Sequence, residues 1–302
     1  MANEKTVSAK AALKIADEAA AKGDREKAIK YYNAVLQKYP DNEKAIAGYK
    51  RLHPNNLFRS DIDELQQLFS EKKYREVEVK TSMYLELYPD VQELRSLLGS
   101  VLSLKGDVEQ ALVHFKKAAE LAPLNAGTQF NLGNAFRSTG DFERAKISYE
   151  KAIKLDPKNA RAFNNLGKIY MREKKFGKAI DQFKKAASLI PNAVEFQINA
   201  AIANKAAGNY DDAIMHYKLV IKLDSTNMHV FLDLASCEML NGNNEIAKEL
   251  YESVLDRSPD SEIARLHYGL FLRTIGDNEA ARVQFDKALE INPAIKIPGQ
   301  VH

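Results

Sequence analysis

Pro89, Pro123, Pro157, Pro191, Ser225, Pro259 and Pro293 follow one another at a fixed step of 34 residues. A step of that length marks a stack of repeated units, each packed mainly on its neighbours. Between Ala126 and Ala193 the copies are plain to read. Leu132-Gly133 recurs as Leu166-Gly167, Phe136 as Tyr170, Ala145 as Ala179, Tyr149 as Phe183 and Ala152 as Ala186. Each unit reads as two helices. Gly133 and Gly167 are small where the two must approach closely, and Ala145 and Ala179 do the same from the second helix. The proline stops that helix, because it lacks an N–H and clashes with the preceding turn. Gly-Asp or Gly-Asn at 106–107, 140–141, 208–209, 242–243 and 276–277 ends the first helix and caps the second. Lys174-Lys175 stands at that place in one copy. Leu132, Leu166 and Leu234, each beside a close-packing small residue, are expected to be buried.

Leu-Gly, an aromatic three residues on, then Ala, an aromatic, Ala and Pro resembles the tetratricopeptide repeat (TPR). The resemblance covers about nine-tenths of the chain. Its first consensus aromatic is usually Trp. Here that place holds Phe163 or Gln129, and the chain has no Trp. The resemblance implies an all-α fold, a right-handed superhelical solenoid of antiparallel helix pairs with about eight repeats. It also implies that the first helix of each pair lines the inner face.

In chain order, residues 1–8 are polar and expected to be disordered, and 9–42 form a first hairpin ending at Pro40. Residues 43–57 read as an inserted helix and loop, stopped at His53-Pro54, that offsets this hairpin from the rest. Seven consecutive repeats fill 58–295, and 296–302 is a tail. The last helix carries Val283, Phe285 and Leu289, positions that pack the next repeat in earlier copies. That end is expected to be covered by the tail, by a second copy in a homodimer, or by a further domain. The arrangement at 24–89 resembles the start of bacterial TPR proteins with a sulfotransferase or glycosyltransferase domain downstream.

The charge balance is only +3, which excludes a global electrostatic drive to nucleic acid or an acidic membrane. RNA-reading helical repeats are disfavoured by the 34-residue step. With one cysteine, Cys237, no intrachain disulfide can form. Cys237 lies within a first helix and reads as packed. No apolar run has membrane-spanning length and MANEKTVSAK has no secretory core, so a cytoplasmic protein is expected. No metal-ligand spacing, phosphate loop or nucleophile motif occurs among the histidines, glycines and serines, so no cofactor, metal or catalytic residue is assigned.

Counting the first residue of each repeat as position one, the sixth position reads Asn131, Asn165, Asn199, Asp233 and His267. In the family this position faces the concave groove. An amide donates and accepts, so it can hold peptide backbone without reading its sequence. The row resembles the asparagine ladder in the repeat region of O-linked N-acetylglucosamine transferases. Asn134, Arg137, Arg161, Lys168, Arg172 and Lys205 are expected to flank it, with Glu195, His229 and Asp233 further along. The groove is therefore expected to be basic in its middle. The carboxylate clamp of chaperone-tail-binding repeats is absent, because Phe130 and Glu195 stand where that clamp needs cations.

Asn204 and Glu238 occupy the eleventh position, aromatic at Phe136 and Tyr170, and partial exposure is expected there. His114 and His216 are expected at an outer face or edge. The resulting expectation is a non-catalytic scaffold holding an extended, acidic protein segment in its groove. The alternative is a recognition module of a larger bacterial sulfotransferase or glycosyltransferase.

Overall fold

The computed structural model describes residues 8–39, 42–52 and 59–299. Residues 1–7, 40–41, 53–58 and 300–302 lie outside them, and with them the stop expected at His53-Pro54. The chain divides into two compact units, Met1–Leu155 and Asp156–His302. Among the described residues the fold is all-α, with seventeen helices and no strand.

The first unit holds α1 (Ala9–Ala21), α2 (Arg25–Lys38), α3 (Glu43–Leu52), α4 (Arg59–Ser70), α5 (Tyr74–Leu87), α6 (Gln92–Lys105), α7 (Val108–Leu121), α8 (Ala126–Ser138) and α9 (Phe142–Leu155). Ser8 already belongs to the start of α1, its Oγ accepting from Ala11 N at 3.3 Å. The pairs α1/α2, α4/α5, α6/α7 and α8/α9 pack as hairpins, and first helices also touch one another, α4 on α6 and α6 on α8. The extra helix α3 packs on both α1 and α2. Its Ala45 and Tyr49 share one core with Tyr32, Leu36, Leu65 and Tyr84, so it joins the first hairpin to the repeats that follow.

The second unit holds α10 (Ala160–Arg172), α11 (Phe176–Leu189), α12 (Val194–Ala207), α13 (Tyr210–Leu223), α14 (Met228–Leu240), α15 (Asn244–Arg257), α16 (Glu262–Thr274) and α17 (Asn278–Ile291). These pair as hairpins in the same way. The tail lies back on the last of them. Ile297 is buried in the core that contains Tyr268, Phe271 and Phe285, and Arg273 Nη1 donates to Pro298 O at 2.7 Å. The tail is thus one cover for the apolar end, while Val283 stays exposed.

Within each hairpin the small residues act as the spacing requires. A Cβ at Gly133 would sit 2.7 Å from the Tyr149 ring, and one at Gly167 would sit 2.7 Å from Phe183. Leu166 and Leu234 are buried as expected, but Leu132 is only half-buried. At the two turns without glycine, Lys72 and Lys174 take φ 61° and 57°, a left-handed conformation that is costly for a residue with a Cβ.

Candidate functional site

Polar side chains on successive first helices of the second unit form a connected network. Lys168 Nζ donates to Glu195 Oε1 at 2.7 Å. Asn164 Nδ2 donates to the same oxygen at 3.2 Å, and Asn199 Nδ2 donates to Asn164 Oδ1 at 2.8 Å. The Lys168 hydrogen bond, helped by its charge, by Asn164 and by Arg161, holds the Glu195 carboxyl below its usual range; partial burial opposes this. Further along, Lys205 Nζ lies 3.2 Å from Asp233 Oδ1. Burial pushes the half-buried His267 imidazole down, Asp233 pulls it up, and Lys205 and His229 push it down again.

Of the five cations expected in a basic middle, two are thereby neutralised. Lys168 and Lys205 are matched by carboxylates of the same unit. Arg161 and Arg172 are exposed, and Asn165 is half-buried. The pairings run between one first helix and the next, so reading positions within single repeats does not reveal them. Asn164 is buried and structural. The sixth-position ladder falls on its sequence neighbour Asn165 and so does not point to it.

In the first unit, Asn131 is half-buried and lines a cavity of about 220 Å³ between α4, α6 and α8. Leu65 and Leu94 form a buried floor, with Ile62 and Leu97 beside them, and Gln66, Gln92, Glu93, Ser96 and Ser100 supply polar groups. Gln92 Nε2 donates to Ser96 Oγ at 3.0 Å. Asn134 Oδ1 accepts from Tyr149 OH at 2.7 Å, and Arg137 is exposed. The polar cavity residues other than Asn131 were missed. Glu93, Ser96, Ser100 and Gln66 fall on the second, fifth and ninth positions of first helices and Gln92 on the first; the second and ninth positions are those of Arg161 and Lys168 among the ladder's flanks.

One other expectation changes. Asn204 and Glu238 are fully buried rather than partly exposed. Asn204 Nδ2 donates to Ala200 O at 2.9 Å. Glu238 Oε2 accepts from Asn243 Nδ2 at 2.8 Å, and Lys218 Nζ lies 2.9 Å from Oε1 as an ion pair, off the direction of a hydrogen bond. His114 and His216, expected at an outer face or edge, are half-buried. They bond to the fourth-position residues Arg95 and Gln197, at 3.5 and 2.7 Å. Those residues replace the usual aromatic and donate to the carbonyls of Pro89 and Pro191 at the turns between repeats. Burial pushes both imidazoles down. It also pushes the Cys237 thiol up to about 11, which keeps it protonated. Among the described residues, no group of three or more His, Cys, Asp or Glu side chains is placed to hold a metal ion. No described helix is long and apolar enough to cross a membrane.

Family models described as tetratricopeptide repeat or TPR repeat match residues 10–42, 93–123, 133–174, 160–193, 204–268 and 264–295. No curated protein matches. Among solved structures, the C-terminal part of a TPR repeat-containing protein from Cytophaga hutchinsonii is similar over 78% of this chain and 96% of its own, with a TM-score of 0.64 and 14% identity. MamA is similar over 59% of this chain and 97% of its own, with a TM-score of 0.51 and 26% identity. YrrB, described as a TPR protein with an unusual peptide-binding site, is similar over 60% and 93%, with a TM-score of 0.52 and 23% identity.

Proposed function

Because the chain is a tetratricopeptide repeat protein, we propose that it is a non-catalytic interaction scaffold whose first helices hold an extended segment of a partner protein. Proteins of this family generally bind other proteins. The observation that carries the reading is the cavity on α4, α6 and α8. It is open, has an apolar floor, and is rimmed by amides and hydroxyls that can exchange hydrogen bonds with a peptide backbone. Asn165 and Asn199 extend the same repeat position into the second unit. Arg137 and Arg161 are exposed and in no ion pair among the described residues, so they can meet carboxylates of the segment. Affinity is modest, because ordering a flexible segment costs conformational entropy. It falls with added salt, because exposed charges are screened.

The test is selection from a randomised library of capped peptides on the immobilised chain. Asn131→Ala and Arg161→Ala remove inner-face groups without touching the core and reduce retention. Ile147→Asp, on an exposed outward position of α9, leaves retention unchanged. Asn199→Ala is a poorer probe, since it strips the buried Asn164 of a partner and costs roughly 1 kcal/mol of stability. Retention lost with Ile147→Asp and kept with both inner-face variants would place binding elsewhere.

A further inference from the structure

The cavity of the first unit and the network of the second occupy the same four repeat positions. Lys168, Glu195, Asn164 and Asn199 correspond, three repeats earlier, to Gln66, Glu93, Ile62 and Leu97. In the second unit these positions close on themselves: the ninth-position lysine reaches the second-position glutamate of the next repeat at 2.7 Å, and two amides complete the link. In the first unit the glutamate is retained, but the ninth position carries a neutral amide and the two asparagines are replaced by hydrocarbon. All four residues line the open cavity. Glu93 is the one charged group of its lining and takes part in no ion pair among the described residues. The molecule therefore contains one copy of this arrangement with its cation built in and one copy without it.

We propose that the cavity of the first unit binds a lysine or arginine side chain of the partner segment, its cationic head on Glu93 as Lys168 is on Glu195. The inference rests on the scaffold reading and names the side chain that one part of the inner face selects. The lining suits that class. A long basic side chain is a hydrocarbon stem with a charged tip. Ile62 and Leu97 flank the stem, while Ser96, Ser100 and the amide oxygens of Gln66 and Asn131 can accept from the tip. The cavity of about 220 Å³ is roughly seven times the share of liquid volume taken by one water, enough for one such side chain. An acidic side chain would meet the Glu93 carboxylate. A purely apolar one would leave the rim groups and Glu93 facing it unpaired.

The test is a positional-scanning library of acetylated, amidated peptides on the full chain. Wild type enriches Lys or Arg at one position by about three- to fivefold, the scale of a partly exposed ion pair. Glu93→Gln abolishes the enrichment. Gln66→Lys abolishes it too, because the chain then carries the missing cation itself, as at Lys168. Glu93→Lys turns the preference to Asp and Glu. Gln66 and Glu93 are exposed, so the variants keep the wild-type circular dichroism and melting temperature. Peptides retained through the inner face with an apolar or acidic preference at that position would overturn this inference alone. So would a basic preference that survives both Glu93→Gln and Gln66→Lys. If wild type selects no peptide at all, the scaffold reading fails and this inference with it.

Discussion

Phe136 and Glu238 stand at the same repeat position and are buried alike, at 6% and 1% exposure, although one is a hydrocarbon ring and the other a carboxylate. The Arg144 guanidinium lies 4.7 Å from the Phe136 ring centroid, and the Lys116 ammonium lies 5.7 Å from it. Glu238 has Lys218 and Asn243 instead. Lys116 and Lys218 are themselves equivalent residues, each one repeat upstream of the slot it covers. Asp141 and Asn243 are equivalent too. Asp141 caps α9, accepting from Arg144 N at 3.0 Å. Asn243 makes no side-chain cap on α15 and turns back to donate to Glu238. The backbone slot therefore does not dictate hydrophobicity. It accepts a charge when a cation from one helix and an amide from another reach it, and here a helix cap is given up to supply the amide. Asn204 with Asn209, at 3.4 Å, shows the same exchange in weaker form.

The largest effect expected from this comparison is that equal burial hides unequal energetics. Phe136→Ala removes a buried ring and leaves a cavity, costing about 3–5 kcal/mol. Glu238→Ala removes packing but also a desolvated charge, and Lys218 is already more than half exposed to water, so the net cost is only about 1–2 kcal/mol. Chemical denaturation of both variants checks this. Equal losses would mean that Glu238 contributes more than its packing and that the polar slot is stabilising in its own right.

The 34-residue step made the helix pattern legible, because glycine, alanine and proline each answer a local steric demand that recurs with the repeat. Ion pairs were less legible. Glu238 reads as partly exposed until Asn243, like Asn209 below Asn204, is set against the Asp caps at 107, 141 and 277. That contrast is present in the sequence itself. Lys168 and Lys205 read as groove cations because their partners, Glu195 and Asp233, lie one repeat on. Pairing them requires the register between neighbouring first helices, which the repeat length alone does not provide. The cavity beside Glu93 was invisible for the same reason, since it is the lack of a lysine where another repeat has one.

A second, smaller effect separates the two cap residues. Asn243→Ala takes the remaining hydrogen bond from a buried carboxylate and costs about 1.5–3 kcal/mol. Asp141→Ala removes an ordinary cap and costs about 0.5–2 kcal/mol. The sharper measurement is the double mutant. In a Glu238→Phe background Asn243 has no carboxylate to serve, so Asn243→Ala becomes nearly neutral, a coupling of about 1 kcal/mol or more. Additive losses would show that Asn243 stabilises the turn by itself and that its bond to Glu238 is incidental.

The smallest effect lies in the two equivalent lysines. At 5.7 Å from the ring centroid Lys116 is near the outer limit of a useful cation–π contact, and Arg144 already covers the same ring at 4.7 Å. Lys116→Met therefore costs about 0.5 kcal/mol. Lys218 is the nearest counter-charge to a carboxylate almost without solvent, yet its own side chain is 58% exposed. That exposure brings Lys218→Met down from the buried-pair range to about 1 kcal/mol. Salt distinguishes the two mechanisms. In about 1 M salt the screening length falls to roughly 3 Å, so the larger deficit of Lys218→Met shrinks towards the small one of Lys116→Met, in which methionine keeps the packing of the stem and only a weak cation–π contact is lost. The comparison breaks if Lys218→Met is no more costly than Lys116→Met at low salt. In that case the Asn243 amide alone satisfies Glu238, and the equivalent lysines share a position without sharing a role.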